Sequence, residues 1–307
     1  MQALFNIINI PFAYVLRFIS DICGGNFAAA VFIFTVFINL IFIPLTIKSQ
    51  KSSVQQMRIK PKLDALKEKC GDDKQKYSME MQELYQKEGV SMGGGCLPMI
   101  FRLIVMMSIY WLIMAPLTYL MDVDANTIKE AAAALKELGI NVVEGRSELQ
   151  IIGAVNQGKI AFPEIAEAIK EIDFNFFGID LTATPKFSIN IFADFNRTWI
   201  MPLLAFAAQM LSSVMSSIMQ KKQNPEAPSM MGMMLTMPLM SLFIGFGFPC
   251  GVTFYWACSS LIGGIIQILV QQFYGPHKLL SKERVKELAK QCDFETTQIN
   301  KFGTIDE

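Results

Sequence analysis

The sequence predicts an all-α polytopic membrane protein: a five-transmembrane-helix core with an N-terminal amphipathic helix, a cytoplasmic helical hairpin and a long extracytoplasmic insertion. Three observations carry that prediction. The 307 residues are 52% hydrophobic, with 20 Met and 24 Phe, and the mean hydropathy is +0.36, too apolar for a soluble globular domain. The apolar residues gather into runs that approach or reach the length needed to cross hydrocarbon, about 20 residues of helix. The charges lie between those runs, with a basic excess on one side and an acidic excess on the other.

Composition also excludes whole classes of function. Net charge is zero, so no global field draws the chain directly to nucleic acid. The six cysteines (Cys23, Cys70, Cys96, Cys250, Cys258 and Cys292) show no paired spacing, which suggests neither a disulfide framework nor a metal site. The sole histidine, His277, has no cysteine or carboxylate at ligand spacing. No catalytic set, metal or cofactor is expected, and the chain does not read as an enzyme.

Residues 1–26 carry Leu4, Phe5, Ile8, Phe12, Val15, Leu16 and Ile19 at helical spacing. Without a charged leader and a small-residue cleavage site, this is not a signal peptide. It reads as an amphipathic helix lying in the interface and interrupted at Pro11, with a short extra span as the alternative. Asp21–Asn26 breaks the chain. Residues 27–47 form the first span, whose strongly polar interior residue is Asn39, and Pro44 is expected to bend its last turn. Residues 48–96 are charged, with a turn at Gly71-Asp72-Asp73 between two arms. Ile59, Leu63 and Leu66 on one arm, and Tyr77, Met81 and Leu84 on the other, make stripes that pair across a helical hairpin.

The second span, residues 97–120, follows Gly93-Gly94-Gly95-Cys96, has Pro98 in its first turn, and carries one charge, Arg102. An arginine in a span costs roughly 2.5–3.5 kcal/mol on insertion scales, so by default it faces protein or water rather than lipid. It sits roughly 9 Å from the helix start, so snorkelling to the headgroups is the alternative to a polar cavity. Residues 121–198 are polar, with helical patterns at 126–138 and 163–171 and a Phe-rich stretch, Phe174–Leu181, that reads as a strand or an interfacial anchor. Residues 199–219 are the third span, with Gln209 and Ser212, Ser213, Ser216 and Ser217, small residues that let helices approach closely. A short loop at 220–232 carries Lys221 and Lys222. Residues 233–249 and 250–272 are the fourth and fifth spans, and 273–307 a charged, partly helical tail.

Orientation follows from charge. Residues 48–88 carry ten Lys/Arg against seven acids, and residues 121–198 seven against twelve. The positive-inside rule puts the hairpin in the cytoplasm and the acidic segment outside, hence the N-terminus out and the C-terminus in. Asn39 then lies roughly 12 Å from the cytoplasmic end of the first span, and Arg102 reaches a similar depth from the other direction. The two share one polar pocket in the inner half of the bilayer, with Gln209 and Gln267 as further candidates. The outer half has no comparable polar residue. That implies a chamber open to the cytoplasm and closed outside, whereas a pore needs polar lining throughout.

The residues reached so far resemble the YidC family of membrane protein insertases, bacterial relatives of the mitochondrial and chloroplast insertases. Ile38-Asn39-Leu40-Ile41-Phe42-Ile43-Pro44-Leu45 resembles the end of the family's first core helix. Glu88-Gly89-Val90 with Gly95-Cys96-Leu97-Pro98-Met99 resembles its approach to the second. Met237-Pro238-Leu239-Met240 and Phe248-Pro249-Cys250-Gly251-Val252-Thr253-Phe254-Tyr255-Trp256 resemble its fourth and fifth. Each pattern is loose, but their order and spacing make the set specific.

The resemblance implies an insertase core in the bacterial cytoplasmic membrane, with a hydrophilic groove open to cytoplasm and lipid. A basic groove residue attracts the acidic outer tail of a client, whose apolar segment slides into the bilayer without ATP. The implied partners are nascent membrane proteins, the ribosome or targeting pathway at the hairpin, and the lipid bilayer; the residues leave a Sec-type translocon open. The chain departs from the family at two places. The groove arginine of many relatives falls at Asn39, and a position often Gln in relatives is Arg102, as if the charge had crossed the groove. The acidic outer segment is also longer than in many relatives. The rival reading, an anion-binding membrane transporter or channel, predicts polar residues in the outer half or broken inverted repeats, and the sequence shows neither.

Overall fold

A computed structural model describes residues 2–71, 73–90, 97–143, 145–185, 196–223 and 231–303. The Gly93–Cys96 approach to the second span and most of the loop at 220–232 lie outside the described residues. The protein is predominantly helical. The chain divides into two units, the first comprising Met1–Ile41, Ile100–Ser217 and Pro228–Ile265, the second Phe42–Met99, Ile218–Ala227 and Ile266–Glu307.

The first unit opens with α1 (Gln2–Ile22) packed along α2 (Phe27–Ile41). Pro11 lies inside α1 and does not interrupt it, which corrects the sequence expectation. One face of α1 buries Ala13, Leu16 and Ile19, and Phe12 meets Phe34 of α2 edge to face at 5.4 Å. Burial of that face offsets the hydrogen bond a proline removes. The opposite face exposes Ile7, Tyr14, Phe18 and Ile22, so the helix is apolar on two sides.

Three of the expected spans are shorter than predicted. α2 has 15 residues; it stops at Ile41 because Pro44 stands in the first turn of the next helix rather than in the last turn of this one. A proline lacks only an N–H that a first turn leaves unpaired anyway. α5 (Leu97–Met114) has 18 residues and is ended by Pro116, which starts the short α6 (Pro116–Tyr119). α11 (Met231–Gly245) has 15. Among the described residues, Arg197–Met219 and Cys250–Phe273 are long and apolar enough to cross a membrane. Phe27–Ile41 and Ile43–Cys70 meet that test as a broken pair.

The acidic segment 121–198 contains α7 (Ala125–Glu137), α8 (Ser147–Asn156), α9 (Pro163–Glu171) and a hairpin of β1 (Asn175–Phe176) with β2 (Ile179–Asp180). A 3-10 turn at Arg197–Trp199 then leads into α10 (Ile200–Gln223), and α12 (Cys250–Phe273) follows α11. The first N–H groups of a helix have no partner within it, and the acidic segment supplies acceptors for three such starts. The Phe27 amide donates to the Asp173 carbonyl at 3.1 Å, and the Asp173 amide donates back to Gly25 at 2.8 Å. At α12 the Cys250 and Gly251 amides donate to Ala183 and Leu181 carbonyls at 2.8 and 2.7 Å.

At α6 the acceptor is a buried side chain. The Thr118 amide and hydroxyl donate to the Glu148 carboxylate at 3.0 and 2.6 Å. Burial holds this carboxyl above its ordinary range, partly countered by the Thr118 bonds. A carboxyl raised on folding adds stability that is complete below its unfolded value and is lost as pH rises through the folded one. Thermal unfolding in detergent should therefore show wild type losing stability from mildly acidic to neutral pH. Glu148→Gln, which keeps an acceptor without the charge, should flatten that slope. Glu148→Ala should cost roughly 1–3 kcal/mol by stranding the Thr118 donors.

The second unit contains α3 (Ile43–Cys70), α4 (Lys74–Lys87) and α13 (Pro276–Gly303). Gly71, at φ +56°, makes the turn after α3, and Asp73 caps α4 by accepting from the Lys76 amide at 3.0 Å. Ile59 is buried, while Leu63, Leu66, Tyr77, Met81 and Leu84 are half-buried. Lys62 pairs with Glu88, and Lys69 with Glu80 at 3.7 Å, exposed pairs of the kind that contribute little.

Candidate functional site

Arg102 is the sixth residue of α5 and Asn39 lies two residues before the end of α2. The Asn39 amide donates to the carbonyl of Thr35, one turn back, at 2.8 Å. That bond fixes the side chain on its own helix and leaves its Oδ1 as the free end. Both residues meet α12 at Gly263, where an added Cβ would overlap Arg102 Nη2 and lie 3.4 Å from Asn39 Oδ1. One turn earlier on α12, Ser259 receives the guanidinium. Nε donates to its hydroxyl at 3.1 Å, and Nη2 donates to its backbone carbonyl. Among the described residues no carboxylate pairs with Arg102.

The first unit thus contains a half-buried guanidinium, held by uncharged oxygens, beside an amide oxygen from a second helix. Ser259 and Gly263 sit at i and i+4, so they share a face, and only a residue without a side chain leaves room for the arginine head there. A cation in this setting attracts anions more strongly than in bulk water, because the surrounding dielectric is lower.

Gln209 does not join this group. It accepts from the Ser260 hydroxyl at 2.8 Å, in the seam where α10 packs on α12. Ala205, Ala208 and Ala257 line that seam, and a Cβ on Gly264 would overlap the Ser212 hydroxyl. Small residues here allow close helix approach. Gln267 belongs to the second unit, where its amide donates to the Gln50 side-chain oxygen at 3.2 Å. Ser259 and Gly263, by contrast, were not predicted. Their signal was present in the sequence as Ser259-Ser260 followed four residues on by Gly263-Gly264, a step of small residues on one helix face.

The family described as the 60Kd inner membrane protein matches residues 18–277 of the chain. A Bradyrhizobium diazoefficiens protein named membrane protein insertase YidC is 27% identical over 253 residues, 82% of this chain and 34% of that protein. Proteins of the same name from Ectopseudomonas mendocina and Pseudomonas fluorescens are 39% and 41% identical over 104 residues, 34% of this chain and 18% of theirs. The chain therefore aligns with about a fifth to a third of the length of these curated relatives. Since the match runs over most of its length, the chain belongs to the 60Kd inner membrane protein family, that of the YidC membrane protein insertases.

Proposed function

We propose that the protein is a membrane protein insertase or chaperone of the bacterial cytoplasmic membrane. It takes the transmembrane segments of nascent membrane proteins from the cytoplasm into the bilayer. Family membership supports the class of function, and one observation carries the mechanism: the Arg102 guanidinium bound to Ser259, with no carboxylate paired to it among the described residues. A cation so placed is available to an acidic client tail. Asn39 lies on the same polar spot, and Gln209 extends the polar groove along the seam of α10 with α12. Release of the client's apolar segment into lipid, about 25 cal/mol per Å², supplies the drive without ATP.

In this reading five helical segments, at 27–47, 97–120, 199–219, 233–249 and 250–272, cross the bilayer with the N-terminus out and the C-terminus in. The hairpin of α3 and α4 receives clients from the ribosome or targeting pathway, and a Sec-type translocon is a further partner.

The test is insertion into nucleotide-free proteoliposomes of a single-span client carrying either an acidic or a basic outer tail. The acidic client should be protected from protease about five- to tenfold more, the ratio given by roughly 1–1.4 kcal/mol of attraction. Equal protection of both tails rejects the role of Arg102, and protection no greater than in protein-free vesicles rejects the insertase. An anion transporter or channel would instead release a trapped labelled anion from the same vesicles.

A further inference from the structure

We propose that the tip of the outer β-hairpin is a lipid anchor, with Phe177 entering the outer leaflet and Arg197 beneath it meeting lipid phosphate. The inference rests on reading α10 and α12 as membrane spans and not on the insertase activity. Phe177 is 88% exposed and has φ +50°, followed by Gly178 at +78°. Two-residue hairpin turns with both residues at positive φ favour Asn-Gly. A bulky residue in this conformation is strained, and apart from an edge contact with Phe176 at 4.7 Å the ring stays exposed.

The tip is firmly placed by its neighbours. Phe174 packs on Phe27 with ring centres 4.8 Å apart, and Phe176 on Phe254 of α12 at 4.9 Å. The strands pair Asn175 with Asp180 and Phe176 with Ile179. A Cβ on Gly178 would lie 2.9 Å from Arg197 Nη1, and Arg197 is the first residue of the apolar helix Arg197–Met219. Phe254 is likewise the fifth residue of α12. The tip therefore stands at the level where two apolar helices begin. Below Arg197, Ile200 and Leu204 are exposed on the same helix face. An aromatic ring and an arginine at the head of an exposed apolar stripe is the composition of a membrane–water interface. A protein partner fits less well. One ring flanked by exposed Asn175 and Asp180 is far below the roughly 1,000 Å² a specific interface needs.

The experiment uses the full chain with Phe177→Trp in proteoliposomes, taking the difference from wild type to subtract Trp111, Trp199 and Trp256. The added emission should be blue-shifted, lost on quenching by lipids brominated high on the acyl chain, and spared by aqueous iodide. Adding Arg197→Ala should reduce the brominated-lipid quenching, with the melting midpoint in detergent as the control for folding. Red-shifted emission that iodide quenches and brominated lipid does not overturns the anchor. Insertion is not read, so that failure leaves the proposed function standing.

Discussion

Arg102→Gln is expected to abolish the growth this protein supports in cells depleted of their own insertase, while Arg102→Lys and the paired exchange Asn39→Arg with Arg102→Gln retain it. The exchange is expected to work because both side chains end at the same spot on α12, over Gly263. A guanidinium reaching that spot from α2 occupies the space that the shorter glutamine leaves. Loss of function need not mean loss of fold. Gln forfeits the charge-assisted bonds to Ser259, worth about 1.5–3 kcal/mol, but it also removes a cation from an apolar bundle, which returns a cost of several kcal/mol. Arg102→Gln should therefore melt in detergent at or above the wild-type temperature while failing to support growth. Growth at the wild-type level would show that the charge is dispensable and that the hairpin or the uncharged polar residues carry the function.

Gly263→Ala refines the same argument without removing the charge. The new methyl group meets the far end of a flexible side chain rather than backbone, so the guanidinium moves and the helices stay where they are. Partial loss of growth support with an unchanged melting midpoint is the expected result. It would separate the position of the cation from its mere presence.

Asn39 and Arg102 stood out in the sequence as the polar residues of two apolar runs, and both meet Gly263. The depth count behind their pairing assumed a helix running to residue 47, whereas α2 ends at Ile41. The turn at Gly71 and the helix at Pro163 were legible from local turn and capping chemistry. What was not legible depends on partners distant along the chain. Glu148 is one charge among many in an acidic segment, and its burial against Thr118, thirty residues away, has no local pattern. α8 is ten residues long with Gly153 inside it, too short for its periodicity to stand out. α1 runs through Pro11 because α2 supports it, a tertiary override of a local breaker. Phe174–Leu181 left strand and interfacial anchor open; the backbone forms a strand pair there, and the anchor proposed above is the tip of that pair.

Gly25→Ala is expected to have the largest effect on stability, because it strikes a clamp between the acidic segment and the start of α2. Gly25 has φ +81°, and a Cβ there would overlap the Glu171 carbonyl oxygen with its carbon 3.4 Å away. Here the obstacle is backbone, which cannot rotate aside as Arg102 can. The cost adds about 1–3 kcal/mol for the left-handed conformation to about 1 kcal/mol for each hydrogen bond exchanged with Asp173. A total of about 3–5 kcal/mol follows, read as a lower melting midpoint in detergent and new protease cuts within residues 121–198. Gly24→Ala provides the control. That glycine also has a positive φ, +66°, but a Cβ there has nothing within 4 Å, so it should incur only the conformational cost. If the two variants were equally destabilised, contact with Glu171 would be irrelevant and the segment would hold α2 elsewhere. A clear difference would locate the clamp at this one backbone contact. It would also give the long acidic segment a physical role, as the part of the chain that supplies acceptors to the starts of α2, α6 and α12.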